Sequence, residues 1–99
     1  MNKPVYVVRW LCRVNGEESC GVFEYCYTNE RDAEKAMLED IKNTTEEWQA
    51  LENEYGIGET IHTKQGKYND NGCIDYYDIW FEKGSFDYHK WWIDKLPVI

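Results

Sequence analysis

The fold is decided by residues 5–27, which read VYVVRWLCRVNGEESCGVFEYCY. From Tyr6 to Val14 the even positions are all apolar, while the odd positions include Arg9 and Arg13. This period of two predicts a strand that buries its even face. Asn15-Gly16 readily adopts the positive φ angles of a type I′ turn, and a second alternating run follows it. The stretch is therefore predicted to be a β-hairpin.

A two-residue turn fixes which residues of the hairpin lie opposite one another. The predicted pairs are Arg13 with Glu18, Val8 with Phe23, and Tyr6 with Tyr25. A four-residue loop would change these partners but would keep the same faces together.

The four cysteines contain no Cys-x-x-Cys pair. In the predicted hairpin Cys12 points to the core face, whereas Cys20 and Cys26 point to the other face. Only Cys73 is left to pair with one of them. We therefore expect reduced cysteines and a reducing, cytoplasmic location.

From Asn29 the period changes to that of a helix. Thr28 or Asn29 can cap its start and Gly56 its end. A helix over 30–55 would be about 39 Å long, and Asn43-Thr44-Thr45 is the candidate break. The stripe keeps its phase through that point, which favours one helix. Its members recur at steps of four and three: Ala33, Met37, Ile41, Thr44, Trp48, Leu51 and Tyr55.

Strand signals return after Gly58. Runs at 60–68 and 73–83 flank a turn at 69–72, and the second run is apolar on both faces, which is typical of a central strand covered on both sides. The C-terminal segment is predicted as a short helix that begins at Ser85, with a terminal strand as the alternative. Its predicted buried face comprises Phe86, His89, Ile93 and Leu96.

The predicted fold is thus α+β over residues 1–99 as a single domain. Two hairpins in the order ββαββ form a mainly antiparallel sheet, with the long amphipathic helix on one face and the short C-terminal helix after it. With 42% hydrophobic and 16% aromatic residues, the chain can bury a core of its own.

The charge is large and unevenly placed. The net charge is −8, and residues 30–59 carry ten acids and three bases, which accounts for −7 of it. A chain this acidic repels phosphate backbones and anionic lipids, so we expect neither direct nucleic-acid binding nor membrane association. No apolar run approaches the roughly 20 residues of a spanning helix.

Acidic residues form two lines on the predicted helix, each repeating every seven residues. One line lies opposite the apolar stripe and the other on its flank. Such a surface either keeps a small protein soluble or complements a basic partner, such as a nuclease or another nucleic-acid-binding protein. The first line is Asp32, Glu39 and Glu46, and the second is Asp40, Glu47 and Glu54.

Neither histidine lies in a recognised nucleophile motif, and a possible calcium loop fails because Lys67 stands at the first ligand position. The remaining enzymatic option, an acid or base role for Asp75, Asp78 or Glu82, has no partner residue to support it. We expect a non-enzymatic protein with no cofactor and no metal.

Tyr88, Trp91 and Trp92 are not absorbed by the predicted core. Exposed together, they would form a second interface or a shallow ligand site. The alternative function is therefore a small-ligand-binding or regulatory domain with an aromatic pocket.

In size, acidity and aromatic content, the chain resembles the small inhibitor proteins of phages and mobile elements, including anti-CRISPR proteins. The resemblance is one of general character and carries no residue across. It implies an inhibitor that mimics nucleic acid and covers a basic channel.

Overall fold

The computed structural model describes residues 4–56, 60–81 and 87–97. Its five strands form one antiparallel sheet in the order β2-β1-β5-β4-β3, and the helix packs on one face of it. The α+β class and the antiparallel sheet are confirmed. The elements are β1 (Val5–Val14), β2 (Glu17–Tyr27), α1 (Glu30–Tyr55), β3 (His62–Gln65), β4 (Tyr76–Trp80) and β5 (Tyr88–Leu96).

The first hairpin turns where the sequence indicates. Asn15 and Gly16 have φ angles of 54° and 82°, and Arg13 lies opposite Glu18 as predicted. Further along, one residue of β1 lies opposite three residues of β2, so Tyr6 faces Tyr27 instead of Tyr25. The predicted partner of Tyr6 is therefore wrong, whereas Val8 lies at the irregularity and has no single partner in the register. Because the shift is two residues, the paired residues on either side of it keep their predicted faces.

The helix is continuous through Asn43-Thr44-Thr45, as the phase of its stripe favours. The Asn29 side chain caps the start by accepting hydrogen bonds from the backbone N–H groups of Arg31 and Asp32. At the other end the backbone N–H of Gly56 donates to the carbonyl of Glu52.

The predicted C-terminal helix is wrong, because residues 88–96 form strand β5 between β1 and β4. Trp91 faces the core, so alternation sends Tyr88 and Trp92 to the opposite face. Adjacent Trp91 and Trp92 on opposite faces fit a strand, the alternative to the helix. The predicted start of the helix, Ser85 and Phe86, lies outside the described residues.

The second pair of strands is shorter than predicted, with four residues in β3 and five in β4. Ile79 is fully buried beneath the helix layer, while Tyr76 and Trp80 on the other face are half-buried. No described element packs on that other face, so the expectation of a strand covered on both sides is wrong. Residues 82–83 of the predicted strand lie outside the described ranges.

The core lies between α1 and the sheet, and its fully buried members include Val8, Met37, Ile79 and Trp91. Buried Glu34 also takes part, because its Oε2 accepts a hydrogen bond of 2.7 Å from the backbone N–H of Ile74. This bond fixes the segment before β4 against the start of the helix, at a buried position where an unpaired backbone group would be costly.

Burial decreases along the helix. The buried helical residues all precede Lys42, whereas Leu51 is 53% and Tyr55 76% exposed. Trp48 lies between these extremes: it packs against the core and stacks on Phe81 with 5.1 Å between ring centroids. The predicted inward position is confirmed for Trp48 and wrong for Leu51 and Tyr55.

Candidate functional site

The acidic surface of α1 is the candidate site, and we call its five exposed carboxylates the acidic ridge. None of them forms an ion pair with any residue in the described ranges. Their charges therefore face solvent without a cationic neighbour in contact. The ridge consists of Asp32, Glu39, Glu46, Glu47 and Glu54.

Asp40 does not belong to the ridge, although the sequence predicts it on the flank. It is half-buried, and its Oδ2 accepts a 2.8 Å hydrogen bond from the indole Nε1 of Trp91. The carboxylate satisfies the only polar group of a fully buried tryptophan, which makes Asp40 a packing residue.

The helix carries far fewer charges per unit length than a nucleic acid. Residues 30–55 hold nine acids and three bases, a net charge of −6. Spread over about 39 Å of helix, this is one net charge per roughly 6.5 Å, against about 1.7 Å in duplex DNA. The charge density of α1 is thus about a quarter of that of a duplex.

The C-terminal end of the helix is acidic where helix stability favours bases. The last turn contains no basic residue, and Glu52 and Glu54 lie near the negative end of the helix dipole. The placement of these charges is therefore not explained by the needs of the helix itself.

The second predicted site is not brought together. Trp91 is fully buried in the core, so its predicted exposure is wrong, because alternation along β5 points it away from Tyr88 and Trp92. Tyr88 and Trp92 are half-buried on the outer face of the sheet, which no described element covers. The Tyr88 hydroxyl donates to Glu18, and this hydrogen bond raises the pKa of Tyr88.

An open cavity of about 400 Å³ lies on this outer face. Aromatic walls and two lysines surround Asp78, and burial raises the pKa of Asp78 while Lys90 and Lys64 oppose the shift. The cavity is formed mainly by strands β3, β4 and β5, and no C-terminal helix contributes any of its described lining residues. Its lining residues are Lys64, Asp78, Ile79, Trp80, Phe81, Tyr88 and Lys90.

His89 lies on the inner face of the sheet, with its ring stacked on Trp91 at 3.9 Å between centroids and 6.0 Å from Trp10. Burial lowers the pKa of His89, and nearby Asp40 opposes the shift. Its Nε2 is buried and has no hydrogen-bond partner among the described residues. This imidazole is part of the aromatic packing.

The described residues contain no group of three or more His, Cys, Asp or Glu side chains placed to hold a metal ion. All four cysteines are free: Cys20 and Cys26 are exposed, Cys12 is half-buried and Cys73 is buried. Burial raises the pKa of the Cys73 thiol, which keeps it protonated and poorly nucleophilic.

The fold and its surface thus define a two-layer α+β domain with an acidic helix layer. No family model, curated protein or solved structure matches the chain. In the part of the chain that the structure describes, no helix combines the length and the apolar character needed to cross a membrane.

Proposed function

We propose that this chain is a non-enzymatic binding protein whose acidic ridge covers a basic surface of a nucleic-acid-binding protein such as a nuclease. The observation that carries the proposal is the set of five exposed carboxylates on one helix, none in an ion pair with a described residue. In this role the carboxylates take the place of phosphates, as in a phage or mobile-element inhibitor of the anti-CRISPR kind.

Packing residues and acidic residues lie on opposite sides of α1, and this separation supports the proposed function. Ala33, Met37 and Ile41 pack against the sheet, while Glu39 and Glu46 project from the opposite side. Binding can therefore use the ridge without disturbing the core. The low charge density favours a partner site that holds only a few phosphates, since a longer duplex would outcompete the ridge.

The test compares two variants of equal net charge. Glu39→Lys/Glu46→Lys/Glu47→Lys changes the net charge from −8 to −2 by reversing the ridge. A control that reverses three exposed acids outside the helix has the same net charge: Glu17→Lys/Glu24→Lys/Asp70→Lys. Each protein is immobilised and exposed to host lysate at about 50 and 300 mM salt, where screening differs strongly.

We expect wild type and the control variant to retain the same basic protein at low salt and to release it at high salt. The ridge variant should fail to retain it, and the partner's own nucleic acid should displace wild type. If the partner binds wild type and the ridge variant equally, the ridge serves only solubility. If both variants lose binding equally, net charge and not the ridge determines the interaction.

A second candidate function, a small-ligand-binding or regulatory domain, is favoured by the cavity beside Trp80 and Tyr88. Its volume lies within the usual range of small-molecule sites, although it is open on one side. The test is a thermal-shift screen of small molecules against wild type and Trp80→Ala. A compound that stabilises only wild type would support this function, and equal shifts would exclude the cavity as the site.

A further inference from the structure

The apolar stripe of α1 has the spacing of a coiled-coil seam. Its steps of four and three residues continue without interruption from Met37 to Tyr55. The sheet covers the first half, but Leu51 and Tyr55 are 53% and 76% exposed and lie one turn apart on the same face. We call these two side chains the free seam.

The residues that flank the free seam are acidic. Glu47 lies one turn before Leu51, and Glu54 lies beside Tyr55 on the same flank, whereas Glu52 lies on the other flank. After Lys42 the helix contains no lysine or arginine. In coiled-coil terms, the positions that determine partner choice all carry negative charge.

This charge pattern selects the occupant. A second copy of the chain would bring its own glutamates against those of the first, and like charges at flanking positions repel. A helix with lysine or arginine at its flanking positions would instead pair with Glu47 and Glu54. Its cations would also lie near the C-terminal end of α1, where the helix dipole favours positive charge.

We propose that the free seam docks a basic amphipathic helix of the partner, with apolar residues at coiled-coil spacing and lysine or arginine on both flanks. The inference rests on the proposed function in that the partner is basic. It adds the element through which the partner is held, at the exposed end of α1 and on a different side of the helix from Glu39 and Glu46.

The probe is a fluorescein-labelled helical peptide of three heptads, about 21 residues, with leucine in its seam and lysine on both flanks. The control probe has the same seam and glutamate on both flanks. Fluorescence anisotropy with the full chain should show binding of the lysine peptide only. That binding should weaken between about 50 and 300 mM salt.

Variants of the protein then separate the contribution of the free seam to binding from that of the flanking charges. Leu51→Gln/Tyr55→Gln should weaken binding of the lysine peptide at least about tenfold at both salt concentrations. Val22→Gln/Tyr25→Gln removes two comparably exposed apolar side chains from β2 and should leave binding unchanged. Glu47→Gln/Glu54→Gln should reduce its salt dependence. Circular dichroism verifies that each variant is folded, which exposed positions allow.

Three results would overturn the inference: equal binding of both peptides, no effect of Leu51→Gln/Tyr55→Gln, or a dimer in sedimentation that these substitutions abolish. The last result would assign the free seam to a second copy. A double variant, Glu39→Lys/Glu46→Lys, which leaves Glu47 in place, should bind the lysine peptide as wild type does. If the lysine peptide requires Leu51 and Tyr55 while lysate capture ignores the ridge, the proposed function fails and the seam stands.

Discussion

Asp40 and Trp91 show how a charged helix residue can serve the core. The hydrogen bond from the Trp91 indole to the Asp40 carboxylate joins β5 to α1 at a partly buried position. Asp40→Ala would leave that N–H unsatisfied, and we expect a loss of about 1–3 kcal/mol in the free energy of unfolding. Urea denaturation measures it, with Glu39→Ala as the control expected to change stability by less than about 0.5 kcal/mol. Equal losses would show that the hydrogen bond contributes nothing.

His89 should make the domain sensitive to acid. Burial lowers its pKa in the native state, so the unfolded chain binds a proton that the native state does not. The contribution of His89 is therefore fully present above the unfolded-state pKa of 6.5 and decreases as the pH falls below it toward the native pKa. We therefore expect the thermal unfolding midpoint of wild type to decrease when the pH is lowered from about 7.5 to 5.5.

The control for this pH dependence is His89→Phe, which keeps an aromatic ring against Trp91 but cannot bind a proton. The unfolding midpoint of this variant should decrease less than that of wild type over the same pH range. If wild type and variant decline equally over that pH range, other groups are responsible.

For single residues, the sequence predicts the face of the sheet on which a side chain lies better than it predicts the residues that the side chain contacts. The positions of Cys12, Cys20 and Cys26 on the two faces follow from alternation alone. The role of Asp40 could not be found, because its seven-residue spacing with Glu47 and Glu54 is that of a surface line. Its partner Trp91 lies 51 residues away, on an element predicted with the wrong period.

Among the elements, α1 has a gradient of packing that can be measured. Met37 is fully buried, and Met37→Ala should cost about 2–5 kcal/mol in unfolding free energy. Leu51→Ala should cost less than about 0.5 kcal/mol, because the side chain is exposed. Trp48→Ala should fall between them, since Trp48 is half-buried against Phe81. A large cost at Leu51 would mean that the end of the helix is packed in solution.

Local signals explain which elements could be predicted. The caps at Asn29 and Gly56 and the turn at Asn15-Gly16 are properties of adjacent residues, and all three are confirmed. The sequence of β5 predicts a helix because His89, Ile93 and Leu96 are also spaced for one. The segment forms a strand because it pairs with β1. Local periodicity contains no information about that long-range contact. Leu51 and Tyr55 are exposed because the helix extends beyond the sheet. The spacing of the apolar stripe does not predict where the sheet ends.

For the whole molecule, charge repulsion should be measurable without any partner. The net charge is −8 and α1 carries most of it, so neighbouring carboxylates repel one another in the folded state. We expect added sodium chloride, from about 50 to 300 mM, to raise the unfolding midpoint of wild type. The ridge variant Glu39→Lys/Glu46→Lys/Glu47→Lys should respond less than the variant with substitutions at Glu17, Glu24 and Asp70. Equal responses would mean that the repulsion is not local to the ridge.

The acidic character of the helix layer could be predicted because it needs only composition and helical phase. It could not be predicted that no described element covers the outer face of the sheet, because a strand such as β4 with apolar residues on both faces is typical of a strand covered on both sides. Tyr76, Trp80 and Trp92 are half-buried on that face. The molecule measures 54 × 25 × 17 Å, the shape of two thin layers with an extended helix.

The position of β5 in the sheet also has a consequence for biosynthesis. Strand β5, the last of the described strands, lies in the middle of the sheet between β1 and β4 and supplies Trp91 to the core. While the chain is being made, the first hairpin and the helix emerge without the strand that joins them to β4. The sheet closes only after residues 88–96 have left the ribosome, so a stalled or truncated chain would expose the apolar face of α1 to chaperones and proteases.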